Sequence, residues 1–141
     1  RSRSGHSQVL VQNEVVGEID KGLVLFVCFE KGDEQILLEK PIEKILNLRI
    51  FEDPETGKMS KNIQDIEGKI LCISQFTLSW DGRKGNRPSF DGSLAPVDAQ
   101  IKFRLFCEGL RKTVPVEIGR FGEMMDVRVQ NLGPVTFHLS F

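Results

Sequence analysis

Three short clusters in this chain hold groups capable of chemistry, and they stand far apart along it. Ser74-Gln75-Phe76-Thr77-Leu78 places two hydroxyls and a carboxamide side by side, types that hold a polar ligand or, with a base beside them, attack a carbonyl. Arg83-Lys84-Gly85-Asn86-Arg87-Pro88 gathers cations suited to phosphate. Asn131-Leu132-Gly133-Pro134-Val135-Thr136 offers mainly backbone. Each has an ordinary reading when taken alone: an alternating strand with a polar solvent face, a solvated loop, and a turn ahead of an edge strand that Pro blunts. A nucleophilic Thr77 needs a neighbouring base, and no motif brings His6 or His138 to it.

Other chemistries find no support. No His/Cys/Asp/Glu set has zinc spacing, and no Gly-rich phosphate loop follows a strand, so neither a metal nor an organic cofactor is expected. Cys28, Cys72 and Cys107 are an odd, widely spaced set in apolar stretches, read as buried free thiols. A formal charge of −1 and a pI of 6.2 argue against coating DNA or RNA through a broad basic field, so any RNA contact is local. The 141 residues, 40% hydrophobic and 28% charged, suit one globular domain over residues 1–141. With no apolar run of about 18 residues and no greasy leader, a cytoplasmic protein without membrane contact is expected. The opening Arg1-Ser2-Arg3-Ser4-Gly5-His6-Ser7 has neither Met nor an apolar pattern, and native residues are expected to be missing before it.

The elements that must position the clusters follow from periodicity. Residues 8–19 read as two strands around an Asn-centred turn, and the apolar run 23–29 as a central strand covered on both faces. Residues 33–48 have helical spacing, with Asp33 as N-cap and Pro41 expected to kink or split the helix. Residues 49–51 read as a short strand, 52–58 as a polar turn and 69–78 as a strong strand. The long polar stretch 80–96 reads as a functional loop. A helix is predicted over 97–112, with Ile101, Phe103, Leu105, Phe106 and Leu110 on its apolar face. Strands over 125–130 and 135–141, the second holding His138 as a structural residue, close an α+β chain.

In order and spacing, the three clusters resemble the D-aminoacyl-tRNA deacylase (D-tyrosyl-tRNA deacylase) family. Glu14-Val15-Val16-Gly17-Glu18-Ile19, Lys44-Ile45-Leu46-Asn47-Leu48-Arg49-Ile50-Phe51, Gly57-Lys58-Met59 and Gly119-Arg120-Phe121-Gly122 with Met125 add to the likeness, which runs from about Val9 onward. Leu132, Ser60-Lys61-Asn62 and an unrecognisable first strand depart from the family pattern.

The resemblance implies an α+β fold with a strongly curved, barrel-like β-sheet, two helical regions and a homodimer. It implies hydrolysis of D-aminoacyl-tRNA at the 3′ aminoacyl end, with glycyl-tRNA mischarged on alanine tRNA as a further substrate. The catalytic set carried over is Ser74, Gln75, Phe76 and Thr77, with a backbone N–H of Phe76 or Thr77 facing the oxyanion. Attack by water, helped by the tRNA terminal 2′-OH, ranks above attack by Thr77. Substrate binding falls to Gly133, Pro134, Met125, Lys84 and Arg87, with Arg83 nearby. A cis Gly133-Pro134 bond would enter the partner's site and exclude an L side chain. Two alternatives stay open: an acceptor-end binding module without hydrolysis, and a relative with altered chirality or tRNA preference whose Gly-Pro bond is trans.

Overall fold

The computed structural model describes residues 5–141, so most of the unpatterned opening segment lies outside the described residues. The expected hairpin is present: β1 (Ser7–Val11) pairs antiparallel with β2 (Glu14–Ile19). Gln12 and Asn13 turn between them at φ 50° and 66°, the left-handed pair that a two-residue hairpin loop needs and Asn tolerates. The other edge of β1 takes β8 (Asp126–Arg128), giving the order β2-β1-β8.

A second sheet holds β3 (Gly22–Val27), β6 (Lys69–Ser74) and β7 (Val116–Ile118), all parallel, in the order β3-β6-β7. The doubly covered central strand is therefore β6, whereas the run 23–29 supplies an edge strand that stops at Val27 and leaves Phe26 45% exposed. Alternation along β6 divides the interior in two. Ile70 and Cys72 join the larger core under the helices, while Leu71 and Ile73 join Val9 and Ile19 between the sheets. Gly17 on β2 permits that second contact, since a Cβ there would lie 2.6 Å from the Ile118 carbonyl oxygen.

Helix α2 (Pro96–Arg111) opens on a Pro whose missing N–H is unneeded in a first turn. It buries Ala99, Phe103, Phe106, Cys107 and Leu110, a stripe at spacings of three and four. Ile101 and Leu105, expected on that face, fall outside the stripe and are exposed. The region 33–48 is split, but ahead of Pro41: a 3-10 helix (Asp33–Gln35) precedes α1 (Glu39–Asn47), whose first turn accommodates Pro41. Asp33 does not cap α1; its carboxylate accepts the Glu30 N–H at 2.7 Å. The short strand foreseen at 49–51 is β4 (Phe51–Glu52), paired with the unforeseen β5 (Met59–Lys61).

The C-terminal strands are the largest departure. Only Asp126–Arg128 of 125–130 is strand, and 135–141 forms none. The alternation in 135–141 is real, but a strand needs a neighbouring strand to pair with, and among the described residues none pairs with it. Phe137, Leu139 and Phe141 stand exposed in consequence. The described residues form a mixed α/β fold with two α-helices and three small sheets, and no closed barrel forms among them. None of their helices is long and apolar enough to cross a membrane.

Candidate active site

Because β3 and β6 run in the same direction, their C-terminal ends open at one edge of the sheet, where parallel sheets commonly hold ligands. The ladder continues one bond beyond Ser74, from the Gln75 N–H to the Val27 carbonyl at 2.8 Å. There β3 has ended, so the chain closes bonds on itself: Phe76–Ser79 is a 3-10 helix, with Leu78 N–H to Gln75 O and Trp80 N–H to Thr77 O, each 3.3 Å. The predicted strand 69–78 therefore stops at Ser74. As the opening N–H groups of a helical turn, those of Phe76 and Thr77 find no acceptor among the described residues.

The side chains follow this backbone. Gln75 Nε2 donates to Thr77 Oγ1 at 2.5 Å, and Phe76, Thr77 and Leu78 face solvent. Among the described residues no base is hydrogen-bonded to Thr77. His6 lies between Asp20 (2.9 Å) and Glu18 (3.0 Å), and the hydrogen bond to Asp20, reinforced by the charge of Glu18, raises its pKa above 6.5. His138 is exposed in the strandless segment 135–141 rather than on the predicted strand.

Cys28, which carried no signal in the sequence beyond its apolar setting, reaches this turn. Its Sγ donates to the Phe76 carbonyl at 3.6 Å, and it is half-buried, unlike the fully buried Cys72 and Cys107. Burial, then the carboxylates of Glu30 and Asp33, push its thiol pKa up. The Ser79 hydroxyl is buried beneath the turn with no hydrogen-bond partner.

The basic stretch forms an exposed arch. Arg83 turns back on Asp81, backbone N–H to carboxylate at 3.0 Å and Nε at 4.0 Å. Lys84 and Arg87 are exposed and form no ion pair among the described residues. The arch returns at Phe90, whose ring meets the Phe76 ring edge to face with centroids 5.0 Å apart. Nothing in the sequence singled out Phe90.

Neither Met125 nor the Gly-Pro turn has a hydrogen bond or ring contact to this group among the described residues. Met125 is half-buried over Val9, Ile19, Leu71 and Ile73. Gly133 and Pro134 are exposed and joined by a cis bond. Asn131 braces their turn, donating to Thr136 Oγ1 at 2.8 Å and accepting the Val135 N–H at 3.2 Å. Among the described residues no hydrogen bond links that turn to residues 74–79. Two open surface grooves lie elsewhere, one of about 620 Å³ beside Lys69 and Arg111 and one of about 410 Å³ beside Lys44 and Arg49; neither holds any part of this turn.

A family model described as D-Tyr-tRNA(Tyr) deacylase matches residues 2–140. A protein of Brevibacillus brevis named D-aminoacyl-tRNA deacylase is 50% identical over 135 residues, covering 95% of this chain and 92% of that one. Its namesake in Dichelobacter nodosus is 46% identical over 138 residues, covering 97% and 94%. A solved structure described as c-Myc DNA Unwinding Element Binding Protein superposes with a TM-score of 0.92 at 38% identity, over 99% of this chain and 95% of that one.

Proposed function

The chain belongs to the D-Tyr-tRNA(Tyr) deacylase family, hydrolases of the D-aminoacyl-tRNA ester, and from that premise we propose that the ester is cut at the turn following β6. The observation that carries the assignment is the pair of unmatched N–H groups at Phe76 and Thr77. A carbonyl oxygen placed against them gains donors as negative charge develops on it, the electrostatic contribution that dominates many acyl-transfer reactions. Water adds to the carbonyl carbon, the bond to the ribose oxygen breaks, and the ribose oxygen takes the proton, releasing the amino acid and tRNA. The tRNA 2′-OH assists in our reading. Water ranks above Thr77 as the nucleophile, because among the described residues no base is hydrogen-bonded to its hydroxyl, which accepts from Gln75.

Ser74 and Gln75 hold the turn and the terminal adenosine, Lys84 and Arg87 meet acceptor-end phosphates, and Met125 lines the adenosine side. Gly133 and Pro134 enter the site of a second copy and exclude an L side chain there, so that D-aminoacyl esters and mischarged glycyl esters are admitted. The homodimer is supported by the exposed apolar tail: Phe137, Leu139 and Phe141 follow closely on the turn and have no covering strand among the described residues. In the dimer the small sheets would form part of a curved, barrel-like wall around each site.

The test pairs D- and L-aminoacyl-tRNA of one amino acid and follows ester loss. Selective loss of the D ester is expected, and persistence of both would overturn the reading.

A further inference from the structure

The end of β3 grips two segments at once. On one side Val27 O accepts the Gln75 N–H at 2.8 Å and Cys28 Sγ reaches Phe76 O at 3.6 Å, so residues 27 and 28 hold the turn. On the other, Phe29 O accepts the Leu94 N–H at 3.0 Å, Glu30 bridges Ser93, and the Lys31 N–H reaches Gly92 O at 2.8 Å, so residues 29–31 hold the returning arm of the basic arch. Phe90 is fixed in that arm, its carbonyl accepting the Ser93 N–H at 3.0 Å. Its ring closes the circuit on Phe76 at 5.0 Å and 84°. A 3-10 helix of four residues has poor internal hydrogen-bond geometry, so the direction of its free N–H groups depends on what holds it from outside. Its outward side has the Phe90 ring.

Resting on the reading of the turn as the ester-cleaving site, we propose that Phe90 is a positioning residue for that reaction, its ring seating Phe76 so that the arch carrying Lys84 and Arg87 and the turn carrying the N–H donors move as one unit. An edge-to-face aromatic contact of this kind corresponds to a change of roughly 2- to 13-fold in rate if it is expressed wholly in the transition state.

The experiment compares wild type with Phe90→Ala, Phe90→Leu and Phe90→Tyr in single-turnover hydrolysis of D-aminoacyl-tRNA at saturating protein. The rate constant is expected to fall by that factor in the Ala and Leu variants, with affinity for uncharged tRNA unchanged, and to recover in the Tyr variant, which keeps the ring. Equal rates in all four proteins, or a loss confined to affinity, would overturn the proposal. Amide resonances supply a readout independent of activity. In Phe90→Ala those of Phe76 and Thr77 should shift and broaden while those of Ile70 and Leu71 stay in place. If the Phe76 and Thr77 signals do not move, the positioning role is wrong whatever the substrate; if they move in a protein that spares every ester, it is the assignment of the reaction that fails.

Discussion

Replacing Thr77 by Ala separates two chemistries that the sequence leaves open. In the structure the Thr77 hydroxyl has one partner, Gln75 Nε2, in an exposed position. Such a hydrogen bond contributes about 0.5–1.5 kcal/mol net, with exposed cases toward the low end. At about 1.4 kcal/mol per decade, its loss lowers the single-turnover hydrolysis rate by at most ~13-fold, through looser placement of Gln75. A nucleophile behaves differently, since removing the attacking hydroxyl of a hydrolase costs on the order of a millionfold. The assay is single-turnover ester loss from D-aminoacyl-tRNA for wild type, Thr77→Ala and Thr77→Ser. We expect all three within about tenfold of one another. A loss beyond roughly a hundredfold in Thr77→Ala that Thr77→Ser restores would refute water attack and make Thr77 the nucleophile.

Lys84→Ala and Arg87→Ala should each reduce the slope of log affinity for tRNA against log salt by about 0.7, the value for a single-stranded phosphate contact; an unchanged slope removes that residue from the interface. In native protein a thiol reagent should label Cys28 first and leave the buried Cys72 and Cys107 untouched until unfolding, and because burial raises the Cys28 pKa, labelling should accelerate well above neutral pH. His6 has a folded-state pKa above its unfolded 6.5, so its ion pairs stabilise fully below that pH and lose their effect as pH rises through the folded value. The melting temperature of His6→Gln should accordingly trail wild type at pH 5.5 and match it at pH 9, and a gap that widens with pH would contradict the pairing. Phe137→Asp should convert a dimer to monomer in sedimentation and abolish hydrolysis, whereas a monomeric wild type would dismiss the shared site.

Much of the fold was legible because local chemistry and tertiary demand agree. Gln12-Asn13 favours the backbone that the hairpin needs, and the stripe through Phe103, Phe106 and Leu110 has one period. Errors came where those demands separate. Leu105 suits a helix but not its buried face. Thr77 and Leu78 continue a strand-like alternation past Ser74, yet β3 ends at Val27 and the ladder stops with it. No periodicity in one segment reports where another one ends, so the turn that we assign to catalysis was readable as a motif and not as a shape. Phe90 was hidden for a similar reason, because its meaning lies in a contact with Phe76 across fourteen residues.

The tail 135–141 carries this furthest. The alternation of Phe137, Leu139 and Phe141 predicts a strand, and among the described residues no strand pairs with them. An alternating apolar segment left open to water is costly in a lone molecule, at about 25 cal/mol for each Å² that could be covered, and unpaired edges invite another chain. The same segment follows on Gly133 and Pro134, a turn with no hydrogen bond to residues 74–79 among the described residues. One arrangement answers both facts: a second copy that covers the tail also receives the turn. In that proposed homodimer the strand predicted at 135–141 would be completed only by association, and rejection of an L side chain would depend on the same contact that holds the two copies together.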